Sequence, residues 1–225
     1  MGEVLVVVAA GPGLGRSVAL RFAREGADVA LVARSAERLE PLADEVRALG
    51  VRALAVAADV ADESSLRQAL AVVRGTLGDP TVAVYNGSEY VEGNPTVVAY
   101  DDFVHCLLVG IAGALVTVQE VAPAMRAAGR GTVLLTGSEA ALRPYAGAAA
   151  VGVAKAGLRS LALSAAEELA ATGAQVTTVT IRGRLKAGTR FDPDVVADHY
   201  WAVHRRPREQ WEAELVLTKE TPPAG

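Results

Sequence analysis

The chain has 225 residues, of which 51% are apolar, 21% charged and only 4% aromatic, with alanine the commonest type. That balance excludes disordered and fibrous classes and describes one globular domain packed through small aliphatic side chains. The 22 basic and 26 acidic residues leave a net charge of −4 with no Lys/Arg block, which argues against a nucleic-acid partner.

Apolar runs and helical patterns then alternate along the chain. Glu3 to Ala9 is a continuous aliphatic run, the pattern of a strand buried on both faces. A glycine cluster follows, then a helix from Gly15 to Glu25 closed by Gly26. Asp28 to Ala33 reads as the second strand, and Ala36 to Leu49 as the second helix, stopped at Gly50. Val51 to Ala57 is the third strand and Glu63 to Arg74 the third helix, with Asp62 as its cap. Thr81 to Tyr85 is the fourth strand. A polar loop through Ser88, Glu92 and Gly93-Asn94-Pro95 leads into a long helix over Tyr100 to Ala128. Thr132 to Thr136, Ala148 to Thr172 and Gln175 to Ile181 continue the alternation as strand, helix and strand. A short helix at Val195 to His204 and a strand at Glu214 to Thr218 complete the pattern. Strict βα alternation predicts an α/β, Rossmann-like, doubly wound parallel sheet with helices on both faces. A single domain is expected over residues 1–220, with a loose tail over 221–225.

Cys106 is the only cysteine, so no intrachain disulfide forms and a reducing, cytoplasmic location is expected. Met1-Gly2-Glu3 starts acidic and the apolar run Val4 to Ala10 is short, so no secretory signal is expected. The nearly uncharged stretch Cys106 to Val118 has the length of a buried helix, and no membrane span is expected. His105, His199 and His204 lack ligand spacing, so no metal is expected. The arginines around His199 and His204 indicate a solvated face, while Trp201 and Trp211 read as core anchors.

Gly11-Pro12-Gly13-Leu14-Gly15 lies between the first strand and first helix, where a dinucleotide diphosphate is held by backbone amides. A Cβ there would block the approach of backbone to phosphate. The spacing departs from Gly-x-Gly-x-x-Gly, because Arg16 stands at the last glycine position. At the end of the second strand, an NAD site carries a carboxylate for the ribose diol. Here Ala33 is followed by Arg34, whose guanidinium suits a 2′-phosphate, so NADP(H) is expected over NAD(H).

Together these residues resemble the short-chain dehydrogenase/reductase family over nearly the whole chain. Ala10 to Arg16 is similar to its glycine-rich segment, and Val29 to Arg34 to its second strand in NADP-dependent members. Asp59-Val60 resembles the family's adenine-contacting pair, and Asn86-Gly87-Ser88 its asparagine-alanine-glycine motif. Ser138 and Lys155 stand where the family has its catalytic serine and lysine, the lysine also holding the nicotinamide ribose. The stretch Asp192 to Leu217 looks like that of an atypical bacterial subgroup. The resemblance also implies departures. Val151 stands where a catalytic tyrosine precedes the lysine by four residues, and Gly110 where an asparagine is usual. Ala9 replaces the first glycine, Ile181-Arg182-Gly183 replaces a proline-glycine element, and the lid from Arg184 to Asp192 is short. The family's long helices imply a homodimer or homotetramer.

Valine has no proton to transfer, and general acid catalysis is worth roughly 10²- to 10⁴-fold. Tyr85, Tyr90 and Tyr145 are candidate replacements, each also readable as a core or rim residue. Three functions follow. The chain is an atypical NADP(H)-dependent oxidoreductase acting on a carbonyl or alcohol of a small-molecule substrate, or a redox-inactive binding protein, or a non-redox isomerase, lyase or cyclase using the same cleft.

Overall fold

Val4–Val8 forms strand β1, and all five of its side chains are buried. Val4, Val6 and Val8 point into one apolar layer and Leu5 and Val7 into the other, as a strand covered on both faces requires. The structure is a computed structural model that describes residues 2–224. β2 (Asp28–Ala33) pairs with β1 on one side, Val4 opposite Asp28, and β4 (Val82–Tyr85) pairs on the other, Leu5 opposite Val82. With β3 (Ala53–Ala57), β5 (Gly131–Ser138), β6 (Ala174–Ile181) and β7 (Glu214–Leu217), these make one parallel sheet in the order β3-β2-β1-β4-β5-β6-β7. The chain winds outward from β1 in both directions, so the crevice for a ligand opens at the carboxyl ends of β1 and β4.

Helices cover both faces of this Rossmann-like domain. α1 (Leu14–Arg24), α2 (Ala36–Arg47) and α7 (Pro193–His204) pack on the layer containing Leu5 and Val7. α3 (Glu63–Leu77), α5 (Gly113–Ala128) and α6 (Ala149–Ala170) pack on the layer containing Val6 and Val8. Ser35, Asp62 and Asp192 cap α2, α3 and α7 by accepting amide hydrogen bonds. α1 differs: it starts at Gly13 with no side-chain cap and no acid in its first turn.

The long helix read as Tyr100 to Ala128 is continuous but not uniform. α4 (Tyr100–Leu107) passes through a π turn at Leu108–Ala112 before α5 begins. Two neighbours set that turn. Tyr85 is fully buried beneath it and its hydroxyl donates to the Val109 carbonyl. Ala154 of α6 presses on it so closely that a Cβ at Gly110 would lie 2.7 Å from the Ala154 Cβ.

One expectation is corrected at the amino ends of the strands. His204 does not lie on a solvated face; its side chain is 10% exposed. Its ring pairs with Thr132 Oγ1 at 3.0 Å and Glu3 Oε1 at 3.1 Å, and stacks near Phe22 and Trp201. The apolar face of α7 turns it inward. Met1 and Gly225, the outermost residues of the two termini read above, lie outside the described residues. Within the tail, the Thr221 carbonyl accepts from Arg190 at 2.9 Å.

Candidate functional site

Three cavities meet along the carboxyl ends of the strands. One of about 330 Å³ is lined by Ala33, Arg34, Asp59, Val60, Asn86 and His105 among others. A second of about 530 Å³ shares Arg34 with the first and adds Gly11, Pro12, Ser35 and Arg38. A third of about 450 Å³ shares Gly11 with the second and Asn86 with the first, and reaches Ser138, Val151 and Lys155. The shared residues make one elongated crevice, with Arg34 at one end and Lys155 at the other.

The glycine turn fits a dinucleotide on steric grounds. Gly11 and Gly13 have no positive φ, and a Cβ on either would meet no protein atom within 4 Å. No packing contact therefore calls for glycine at either position; free space on the crevice side is what the missing side chains provide. Gly15 is different, since its Cβ would lie 3.1 Å from the Ala10 backbone, so here glycine allows the helix to pack on the strand. No side chain caps the first amides of α1, so they would meet an anion without competition from a capping carboxylate.

At the far end, Arg34 and Arg38 line the second cavity with Ser35. Among the described residues neither guanidinium has an ion pair or side-chain hydrogen bond. Arg16 lines the same cavity but is bound to Glu45. Arg38 sits four residues after Arg34 on the first turn of α2, because Ser35 caps that helix by accepting its amide at 3.3 Å. Sequence reasoning singled out Arg34 but not Ser35 or Arg38; the cap signal at Ser35 was there to find them. In the first cavity Asp59 folds back to accept the Ala61 amide at 2.9 Å, which holds the β3–α3 turn in shape beside Val60.

At the opposite end, Lys155 projects from α6 beneath the crevice and is 4% exposed. Its Nζ donates to the Thr136 carbonyl at 2.9 Å and the Gly87 carbonyl at 3.1 Å, tying together the ends of β4 and β5. Two of its three N–H bonds are thus used, and one remains. Burial pulls its pKa down to about 8, against a smaller opposing effect of Cys106. Ser138 ends β5, and its Oγ accepts the Ala140 amide at 3.3 Å, leaving the hydroxyl proton free. Gly87, expected at the cofactor, contributes its carbonyl to Lys155 and is not part of the three cavity linings; a Cβ there would strike the Tyr85 hydroxyl at 2.5 Å.

No tyrosine lines the cavity of Ser138 and Lys155 among the described residues. Tyr85 lies under the π turn with its pKa pushed up by burial and by Asp59. Tyr90 and Tyr145 are exposed on the rim with their hydroxyls 3.5 Å apart, and the contact raises the pKa of Tyr90. Tyr200 is buried against Thr136 Oγ1 at 2.8 Å, on the other side of the sheet.

The chain is 32% identical over 197 residues to the cyclohexanol dehydrogenase of Rhodococcus sp. strain TK6, covering 79% of this chain and 73% of that one. It is also 32% identical to a subunit of the (2S)-[(R)-hydroxy(phenyl)methyl]succinyl-CoA dehydrogenase of Thauera aromatica, over 80% of this chain and 72% of that one. Among solved structures, a short-chain dehydrogenase from Rhodopseudomonas palustris superposes with a TM-score of 0.88 at 29% identity, covering 96% of this chain and 98% of that one. A metagenomic short-chain oxidoreductase in complex with NADP superposes with a TM-score of 0.88 at 28% identity, covering 96% of each chain. Residues 3–185 match the family described as short chain dehydrogenase. With sheet order, glycine turn and sequence in agreement, the chain belongs to the short-chain dehydrogenase family.

Proposed function

We propose that this chain is an NADP(H)-dependent oxidoreductase acting on a carbonyl or alcohol, with a reduced catalytic set of Ser138 and Lys155. The observation that carries it is the continuity of the crevice. One surface joins two uncommitted guanidiniums, a glycine turn with vacant Cβ space, and a buried lysine beside a free serine hydroxyl. Arg34 and Arg38 would hold a 2′-phosphate and Ser35 Oγ would add a donor. The metagenomic relative bound to NADP supports the same choice.

A nicotinamide held in the crevice would supply or accept the hydride. The Ser138 hydroxyl donates a hydrogen bond to the substrate oxygen and orients it. Val151 stands at the position of the family's tyrosine and offers no proton, so the proton that joins the oxygen is drawn from Lys155. A lysine with a pKa near 8 can give up that proton and regain it in neutral to mildly basic solution. Loss of the tyrosine makes turnover slow. The test is calorimetric titration with NADPH and NADH, followed by a panel of carbonyl substrates. NADPH binding at least tenfold tighter than NADH, with turnover lost in Ser138→Ala and Lys155→Ala, supports the reading. Turnover retained in both variants overturns the assignment of roles.

A second reading, a redox-inactive nucleotide-binding protein, is favoured by Gly110. An asparagine there cannot be accommodated against Ala154, so two of the family's relay side chains are missing together. NADPH binding without oxidation across the panel supports this second reading. We also propose a homodimer or homotetramer through the outer faces of the helix running from α4 through the π turn into α5, and of α6, where Leu108, Leu115 and Val153 are exposed. Sedimentation showing only monomer at high concentration overturns that assembly.

A further inference from the structure

The connection from β6 to α7 carries Arg182, Arg184, Lys186 and Arg190 with no acid before Asp192. Two of the four cations are committed within the chain, and Lys186 is not among the residues lining the cavity of Ser138 and Lys155. Arg182 pairs with Glu139 at 3.3 Å and Arg190 donates to the Thr221 carbonyl. The Asp192 carboxylate accepts the Gly188 amide at 2.7 Å and the Asp194 amide at 3.0 Å. Arg184 is different. Among the described residues its guanidinium has no ion pair and no hydrogen bond, and it lines the cavity of Ser138 and Lys155.

That cavity has two cationic side chains, Lys155 and Arg184, and no carboxylate in its lining. Lys155 spends two N–H bonds on carbonyls, whereas Arg184 spends none. Gly11, Gly13, Leu14 and Gly15 line the same cavity, bringing the amides at the start of α1. A helix N-terminus carries about half a positive charge, and a dinucleotide diphosphate carries two negative ones. The basic residue within the turn, Arg16, is taken by Glu45. The loop holding Arg184 is anchored: Phe191 is buried, its carbonyl accepts the Lys186 amide at 3.0 Å, and its ring lies where a Gly183 side chain would go.

We infer that Arg184 grips the diphosphate bridge of the bound dinucleotide, supplying the charge that the glycine turn lacks. This rests on the nucleotide reading given above. It assigns to the short lid a positioning role: the guanidinium forks onto two phosphate oxygens and holds the nicotinamide end down toward Ser138 and Lys155.

Calorimetry on the full chain separates the alternatives. NADPH, 2′-phospho-ADP-ribose, which keeps the diphosphate but lacks nicotinamide, and 2′-AMP, which lacks the diphosphate, are titrated into the wild type, Arg184→Gln and Lys186→Gln. Arg184→Gln is expected to weaken the first two ligands about tenfold or more and leave 2′-AMP unchanged. Lys186→Gln, the same charge change off the cavity, leaves all three unchanged. Equal NADPH affinity in the wild type and Arg184→Gln overturns the inference while the nucleotide reading stands. So does an equal loss for 2′-AMP, which would mark a general charge effect. A defect confined to turnover of anionic carbonyl substrates also overturns it and gives Arg184 to the substrate. Failure of the wild type to bind NADPH overturns the nucleotide reading itself, and this inference with it.

Discussion

Ala9 adopts a φ of +58°, where β1 gives way to the glycine turn, and no other residue besides glycine has a positive φ among those described. A Cβ in the left-handed region costs about 1–2 kcal/mol, partly offset because alanine loses less freedom on folding than glycine. Ala9→Gly is therefore expected to raise stability by about 0.5–1 kcal/mol, read as a higher urea midpoint with an unchanged slope. Lys155 yields a pH-dependent prediction. Its folded pKa is lowered by burial to about 8 from the ordinary lysine value of 10.5. Between those values the unfolded chain binds more protons than the folded one, so stability rises with pH through that window. Relative to Lys155→Met, the wild type is expected to gain at most roughly 1.4 kcal/mol per pH unit from pH 8 to 10. Paired urea titrations at pH 7 and pH 9.5 check the sign; a difference that falls with rising pH refutes the lowered pKa. At this scale the sequence exposed residues whose chemistry is local, such as the glycine turn and Arg34. It did not expose Arg38 or Arg184, because an unpaired surface cation declares itself only when a cavity is seen beside it.

Elements were legible where their cause lies in their own residues. The bounds of β2, Asp28 to Ala33, follow from an aliphatic run between two breaks, and α3 begins behind Asp62 as its cap predicts. β5 runs on to Ser138, two residues past the expected end, since register with β6 extends its pairing to Ile181. The π turn was not legible. Tyr85 from β4 and Ala154 from α6 set it, and both lie far from Gly110 in sequence. Gly110→Ala is accordingly expected to destabilise by about 1–3 kcal/mol through overpacking. Ala154→Gly in the same chain should recover most of that loss, giving a favourable coupling energy in a double-mutant cycle. Additive effects would mean that the close approach is not what fixes glycine there.

At the scale of the molecule, alternation of aliphatic runs and amphipathic helices specified the parallel sheet and its two helical layers, since crossovers permit few other arrangements. The inward placement of His204 escaped that pattern, because a polar ring on an apolar face finds its partners only in Thr132 of β5 and Glu3 just before β1. On the proposed nucleotide reading, NADPH at a hundredfold above its Kd stabilises the whole fold by about 2.7 kcal/mol. A melting temperature that climbs with NADPH concentration, and less with NADH, is the expected result. No shift with either would place the crevice outside nucleotide binding.

The central position of β1 has a consequence for synthesis. Val4 meets its partner Thr81 across 77 residues of chain, a stretch that takes roughly 4–15 s to translate. Until Thr81 and β4 are made, five consecutive aliphatic residues keep one strand edge unpaired, even once β2 has paired on the other side. Such an edge is a template for wrong pairing between nascent chains. A fragment ending at Pro80 is expected to pellet where the full chain stays in solution, and conditions that stall the ribosome before Val82 would lower yield through aggregation, not through instability of the finished fold.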